Sequence, residues 1–393
     1  MLVRWIGRGI YRVYFHPLSG FPGPRIYAFT RIPHLWAVAR GVHLEELRNF
    51  HETYGEVVRI SPDELSFINS EAMDDIYGSG SKGNIGSPPP KKFSWYTKGS
   101  KKVKSMLKLV TKIEHARVRK IFLPAFSEKA LMERASLFNK YTKLLVDCLK
   151  KGGKEGAKHD MVRMYNLTTF GIMDEFTFGE PLRMLESAEY DPWVRIIFPN
   201  IKRGVLLGII YNHYPLVAGL FRALLHRTVA KLQYKHFNYS ATRVTRRLKN
   251  EQAPGGVDLW SLVLQPEEEG EHRLTREEMY ANAGLFMVAG TETTATLLSG
   301  LTYLLLIHCQ PMNKLVEELR SAFASSNDIT MKNIAGLPYL NACIKEVLRL
   351  YPPVPIGLPH LTPSEGSTIC GHYVPPNVSY SAPLSICEHS QLK

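Results

Sequence analysis

The sequence predicts a mainly α protein with small β sheets, and three observations predict it. Residues 277–307 run without a proline behind a helix-starting signal. Residues 130–250 read as successive amphipathic helices with basic surfaces. Only short stretches, such as 56–61 and 64–69, alternate apolar and polar residues in the two-residue period of a strand. At 393 residues the chain has room for two or three average domains or one large one. Its formal charge of +13 suits an anionic partner: nucleic acid, a membrane surface or an acidic protein.

The N-terminus holds no apolar run long enough to span a bilayer. Arg4, Arg8 and Arg12 fall on one helical face, and Val3, Ile6, Ile10 and Val13 cover much of the rest. That pattern suits a basic interfacial helix, and equally a short solvated start. Residues 16–24 hold three prolines and two glycines, which makes a hinge or linker. Glu56–Ser61 and Glu64–Asn69 follow as two short strands joined by a Pro-Asp turn.

Gly78, Gly80 and Gly83 fit Gly-x-Gly-x-x-Gly, but a dinucleotide loop follows a strand and opens a helix. This one follows a helical stretch, 70–77, and runs into Pro88-Pro89-Pro90, so it is rejected. From Ile85 to Ile113 there are eight lysines and no acid, with Phe93, Trp95 and Tyr96 interleaved. A nucleic-acid patch has that composition. A solvated basic loop has it too and is the reading preferred, so no nucleic-acid partner is expected. His115 and Arg119 lie one helical turn apart, a spacing that clamps an anionic group or simply decorates a basic surface. Residues 196–225 are unusually apolar, and 251–256 and 267–271 read as solvated loops.

The central segment opens with Thr275-Arg276-Glu277-Glu278, a capping box. A helix from Glu277 to Ile307 would be roughly 45 Å long at about 1.5 Å per residue. Its middle breaks local rules. Gly290 costs about 1 kcal/mol in a helix interior. Thr291, Thr293 and Thr294 can bond back to the preceding turn. Glu292 places a charge between apolar turns, where it is expensive unless paired. Such departures concentrate at functional sites. A transmembrane helix and a core helix with a paired Glu are the competing readings.

Residues 314–325 read as another helix, and 337–351 as one ended by Pro352-Pro353. Glu346 and Arg349 sit three apart on one face, where they can pair directly; flanking Ile344, Val347 and Leu348 predict burial. Residues 368–375 read as a strand pair with a Cys-Gly turn. Five scattered cysteines, Cys148, Cys309, Cys343, Cys370 and Cys387, form neither a disulfide framework nor a paired zinc site. They suit a reducing compartment.

Ala289-Gly290-Thr291-Glu292-Thr293-Thr294 resembles the oxygen-binding motif of the long central helix in cytochrome P450 enzymes, Ala/Gly-Gly-x-Asp/Glu-Thr-Thr/Ser. Glu346-Val347-Leu348-Arg349 resembles that family's Glu-x-x-Arg pair, in the expected order and distance. The similarity runs from about Tyr11 to about Pro383 and is nearest to fungal members acting on specialised metabolites. It implies the cytochrome P450 fold, with a hinge and N-terminal segment at 1–24 and the catalytic domain at 25–393. It implies a haem-iron monooxygenase that inserts one oxygen of O2 into a lipophilic small molecule.

By the same resemblance, Glu292 and Thr293 are catalytic and relay protons. Ala289 and Gly290 border the cofactor, with Gly290 making room for O2. His115, Arg119 and His360 contact the haem propionates; many relatives have Arg where His360 stands. Glu346 and Arg349 form a structural pair. By position, residues 85–113 correspond to the family's variable loop over the substrate pocket, though their sequence departs from its pattern, and 196–225 correspond to its movable roof. With no nicotinamide or flavin fingerprint, electrons are expected from NADPH-cytochrome P450 reductase. The resemblance also implies a membrane surface as partner, at the cytosolic face of the endoplasmic reticulum.

The family's haem-ligand loop, Phe-x-x-Gly-x-Arg-x-Cys-x-Gly, does not occur in this sequence. Cys387, in Ser385-Ile386-Cys387-Glu388-His389-Ser390, lacks its flanking glycines, and Cys370 falls in the predicted strand pair. The expectation is a chain truncated before the axial cysteine, with no metal ligand of its own. Residues 381–393 drift from the family pattern. A non-catalytic remnant that binds lipid or another protein is the alternative expectation for its function.

Overall fold

A computed structural model describes residues 2–78, 105–109, 112–187, 189–191, 194–214, 217–219, 234, 237–249, 258–263 and 274–383. Most of the lysine-rich loop, the glycine-rich stretch beyond Gly78, the loops at 251–256 and 267–271, and Cys387 lie outside the described residues.

The first helix, α1, is Leu2–Tyr14. The proline-rich turn leads from it into α2 (Arg25–Phe29), α3 (Ile32–Arg40) and α4 (His43–Tyr54). Strands β1 (Val57–Ser61) and β2 (Glu64–Phe67) form the expected antiparallel hairpin over Pro62 and Asp63. Then come α5 (Glu71–Tyr77), α6 (Lys112–Phe122), α7 (Ala135–Lys154), α8 (Met161–Phe178) and α9 (Val194–His213).

The central helix α10 is Arg276–Ile307. Thr275 caps it: its hydroxyl accepts from the Glu278 amide at 3.2 Å, and the Glu278 carboxylate accepts from the Thr275 amide at 2.8 Å. That is the reciprocal capping box. Helix α11 (Cys309–Ala322) begins five residues before the expected start, because His308, extended, breaks α10 and immediately reopens a helix. Helix α12 (Pro338–Leu350) opens with Pro338 in its first turn, where a missing N–H costs nothing.

Strands β3 (His360–Leu361), β4 (Ser367–Ile369), β5 (His372–Val374) and β6 (Ser379–Ser381) close the fold. One sheet has the order β1-β2-β6-β3, with β6 parallel to β2 and antiparallel to β3. It joins residues 57–67 to residues 360–381 in one layer. The β4–β5 hairpin turns at Cys370 (φ 47°) and Gly371 (φ 75°). Two consecutive left-handed residues give a turn whose twist matches the flanking strands. Cys370 and Gly371 therefore form the Cys-Gly turn that the sequence predicts between the two strands.

The main core is built on the N-terminal half of α10. Met279, Ala283, Phe286 and Met287 pack with Val118 and Phe122 of α6, Leu167 and Phe170 of α8, and Trp260. Trp260 is wholly buried, and its indole N–H donates to the Thr177 carbonyl at 2.8 Å, so the large ring leaves no polar atom unpaired. Asp174 of α8 is buried and takes both arms of Arg243, from the helical residues 237–249. Among the described residues no helix is long and apolar enough to cross a membrane.

Candidate functional site

The middle of α10 presents three different surfaces within five residues. Thr291 is fully buried and its hydroxyl donates to the Met287 carbonyl at 2.6 Å. Thr293 makes the same bond one face over, donating to the Ala289 carbonyl at 2.6 Å. These back-bonds satisfy hydroxyls that a helix interior otherwise leaves without partners. Ala289 is exposed and Thr293 half-buried, so these two, one turn apart, form an open strip on a helix whose flanks are buried.

Glu292 borders the strip on one side. It lines a cleft of about 360 Å³ with Asn166 of α8, Tyr190, and Val194 and Arg195 of α9. Burial pushes its carboxyl above the ordinary carboxylate range. Gly290 borders the strip on the other side, against α8. A Cβ there would lie 2.6 Å from Sδ of Met173. The missing side chain thus admits Met173. Glu292 and Gly290 thus face different neighbours on either side of the Ala289–Thr293 strip.

His115 and Arg119 stand on α6, His115 half-buried and Arg119 exposed. Helix α6 is fixed to α10 by an ion pair between Arg117 and Glu278 and by the Phe122 ring, edge-on to Phe286 at 4.8 Å. The backbone amide of Met106 donates to Asn282 of α10 at 2.8 Å and anchors the chain just before α6. His360 lies on β3, half-buried, edge-on to the rings of Tyr77 at 5.0 Å and Tyr380 at 6.2 Å. The Tyr77 hydroxyl donates to the Leu358 carbonyl at 2.9 Å and accepts from the Ala382 amide at 3.3 Å, which fixes the loop before β3.

Glu346 and Arg349 pair in two parallel bonds, Nε–Oε2 at 2.8 Å and Nη2–Oε1 at 2.6 Å. The expected burial is not observed. Glu346 is 53% exposed, because α12 turns Val347, not Glu346, toward α10, where Val347 meets Gly300.

Sequence reasoning did not find Met173, Asn166, Tyr190 or Arg195. Only Gly290 signalled a close neighbour, since a helix glycine often marks where another element approaches.

The Cytochrome P450 family model matches residues 22–391. This chain belongs to the cytochrome P450 family. It is 41% identical over 387 residues to cytochrome P450 monooxygenase FUM2 of Gibberella moniliformis (strain M3125 / FGSC 7600), covering 98% of this chain and 80% of that protein. It is 41% identical to cytochrome P450 monooxygenase efuB of Hormonema carpetanum, over 95% of this chain and 73% of the relative. Against cytochrome P450 monooxygenase AMT3 of Alternaria alternata it is 38% identical, over 93% of this chain and 74% of the relative. The P450 family uses haem iron, a small-molecule substrate, O2 and a redox partner. Monooxygenase relatives support that activity here and do not favour a non-catalytic remnant.

The residues of this P450 fit one side of that cofactor. The Ala289–Thr293 strip is open, and the basic side chains of His115 and Arg119, one turn apart, suit a pair of carboxylates. The described cysteines stand elsewhere. Cys148 packs on the main core beside Leu185, and Cys309 is exposed at the head of α11. Cys343 faces Tyr339 and Glu318, and Cys370 is in the β4–β5 turn. Among the described residues no group of three or more His, Cys, Asp and Glu is placed to hold a metal ion.

Proposed function

We propose that this P450 oxidises a lipophilic small molecule of specialised metabolism, with protons delivered by Glu292 and Thr293. The observation that carries the reading is their arrangement. A partly desolvated carboxyl in a cleft stands next in sequence to a hydroxyl on the open strip. Haem, when bound, supplies the binding and activation of O2. Inserting one oxygen atom and releasing the other as water consumes two electrons and two protons. A carboxyl pushed above its usual range holds its proton nearer neutral pH, which is what a donor needs. The Thr293 hydroxyl donates its one proton to Ala289 and keeps its lone pairs free to accept a hydrogen bond; it passes a proton on only by turning out of the Ala289 bond as it takes up another.

His115, Arg119 and His360 are assigned to the propionates, and Glu346 with Arg349 to holding α12 as a unit. The apolar run Val205, Leu206, Leu207, Ile209 and Ile210 of α9, the helix that also brings Val194 and Arg195 to the cleft, favours a lipophilic substrate. The charge of +13 favours an acidic redox partner, for which NADPH-cytochrome P450 reductase is proposed. Exposed Val3, Trp5, Ile6, Ile10 and Tyr14 on α1, beside its arginines, favour a membrane surface, at the cytosolic face of the endoplasmic reticulum.

The test is incorporation of label from ¹⁸O₂ into a lipophilic compound by the haem-loaded protein with reductase and NADPH. One labelled atom per product molecule is expected. Haem-loaded protein that consumes NADPH with the reductase but labels nothing across a panel of lipophilic metabolites would overturn the assignment.

A further inference from the structure

A second site lies far along the chain from α10, where α1, the proline-rich turn and β1 meet. A cleft of about 360 Å³ is lined by Val13, Tyr14, the backbone-rich turn 19–23, Arg25, Ala28 and Arg59. Arg59 is 2% exposed. One of its nitrogens, Nη2, donates to the Pro62 carbonyl at 2.6 Å, while its buried Nε has no hydrogen-bond partner.

The local charges do not balance. The nearby carboxylates Asp63 and Glu64 are both engaged by Arg31, which is itself buried. Arg12, Arg31 and Arg59 thus face two acids, and Arg25 adds a fourth cation at the rim of the cleft. Among the described residues Arg12, half-buried, donates a long bond to the Phe29 carbonyl at 3.5 Å. Desolvation pushes the Arg59 guanidinium down to about 10, the Asp63 carboxylate opposes this, and Arg12 adds to it. Desolvation, then Arg8, lowers Arg12. A buried cation with an unfilled donor is costly unless an anion meets it.

We propose that the cleft between α1, residues 19–23 and Arg59 binds a phosphoryl group, with Arg59 as its inner donor and Arg25 as its rim cation. Guanidinium groups match phosphate oxygens in charge and geometry. The backbone of Ser19 and Gly20 adds small, uncrowded neighbours at the mouth, since a Cβ on Gly20 would meet nothing within 4 Å. The phosphoryl group has two sources, a free phosphate compound or the headgroup of an anionic lipid. Tyr14, which lines the cleft, and Phe15 beside it are 60% and 72% exposed, as a lipid source would use them.

The experiment uses the whole chain with two probes: inorganic phosphate, against chloride at equal ionic strength, and vesicles of phosphatidylcholine with or without phosphatidic acid. The readouts are the thermal midpoint and co-sedimentation. The variants are Arg59→Met, which removes the inner cation, and Arg25→Gln, an exposed change that keeps the fold. Phosphate is expected to raise the midpoint of the native chain. Its affinity should fall about tenfold or more in Arg59→Met, the value of one charge-assisted hydrogen bond, and less in Arg25→Gln. Response to free phosphate without preference for phosphatidic acid identifies a soluble ligand. Preference for phosphatidic acid that both variants weaken identifies a lipid headgroup. An equal response of all three proteins to both probes, or no response of the native chain to either, overturns the proposal.

Discussion

Met173 fills the space that a side chain at Gly290 would take: an ideal Cβ would stand 2.6 Å from its Sδ and 2.7 Å from its Cε. Two effects of Gly290→Ala therefore oppose each other. Alanine gains about 1 kcal/mol of helix propensity. The flexible end of Met173 must move aside, which a thioether side chain does at small cost. The expected net change in urea unfolding is within about 1 kcal/mol of zero. Gly290→Val brings two methyl groups into the same space and is expected to destabilise by about 1–3 kcal/mol. Met173→Ala in the valine background should recover part of that loss, and a double-mutant cycle measures the coupling.

That contact also shows where the sequence stops being informative. The α10 start was legible because its capping box is local: Thr275 and Glu278 are three residues apart and need no tertiary partner. The β4–β5 turn was legible for the same reason. Met173 and Gly290 are brought together only by helix packing. So are Glu292 and Arg195, which line one cleft from different helices. The parallel pairing of β2 with β6 joins residues about three hundred positions apart, and nothing in either short strand names its partner. The exposure of Glu346 was misjudged because apolar neighbours in sequence were read as neighbours in space.

Arg243 and Asp174 form the most deeply buried charge pair of α8. The Nη2–Oδ2 bond is 2.9 Å, with a second bond from Nη1 to Oδ1. Burial pushes the Asp174 carboxyl up, and Arg243 pulls it back. Arg243→Met removes the pull and leaves the burial. It is expected to cost about 3–5 kcal/mol, because an uncompensated carboxylate stays inside. Replacing both partners by apolar residues should cost much less than either single change. Chemical denaturation of the three variants checks the order.

Stability should also fall with acid at one identifiable residue. Burial pushes His43, edge-on to His34 at 4.5 Å, down to about 4. The unfolded chain takes up this proton below about 6.5. The contribution of His43 is therefore fully present above about pH 6.5 and declines as pH falls toward about 4. His16 and His51 are also pushed down by burial and have the same sign. His43→Phe is thus expected to flatten, not abolish, the slope of unfolding free energy against pH, by up to about one proton. Equal slopes for native and variant proteins would contradict this.

Glu292 and Thr293 differ in what each would lose on substitution, and that difference separates their assigned roles. Glu292→Gln keeps the size and polarity of the side chain in the cleft with Asn166 and Arg195 but removes the transferable proton. Turnover is expected to fall by about 10²–10⁴, the usual range for a lost general acid. Burial raises this carboxyl, so the native enzyme should lose its proton donor as pH rises through that raised value. The corresponding limb of the native pH profile should vanish in Glu292→Gln. Thr293→Ser retains the hydroxyl that donates to Ala289 and should keep most activity, whereas Thr293→Val keeps the shape and loses the bond. If Thr293→Val lowers turnover while Glu292→Gln leaves both rate and pH profile unchanged, the proton reaches the strip without passing through Glu292. A fall in rate with an intact pH limb would place Glu292 as a positioning residue for α9 instead.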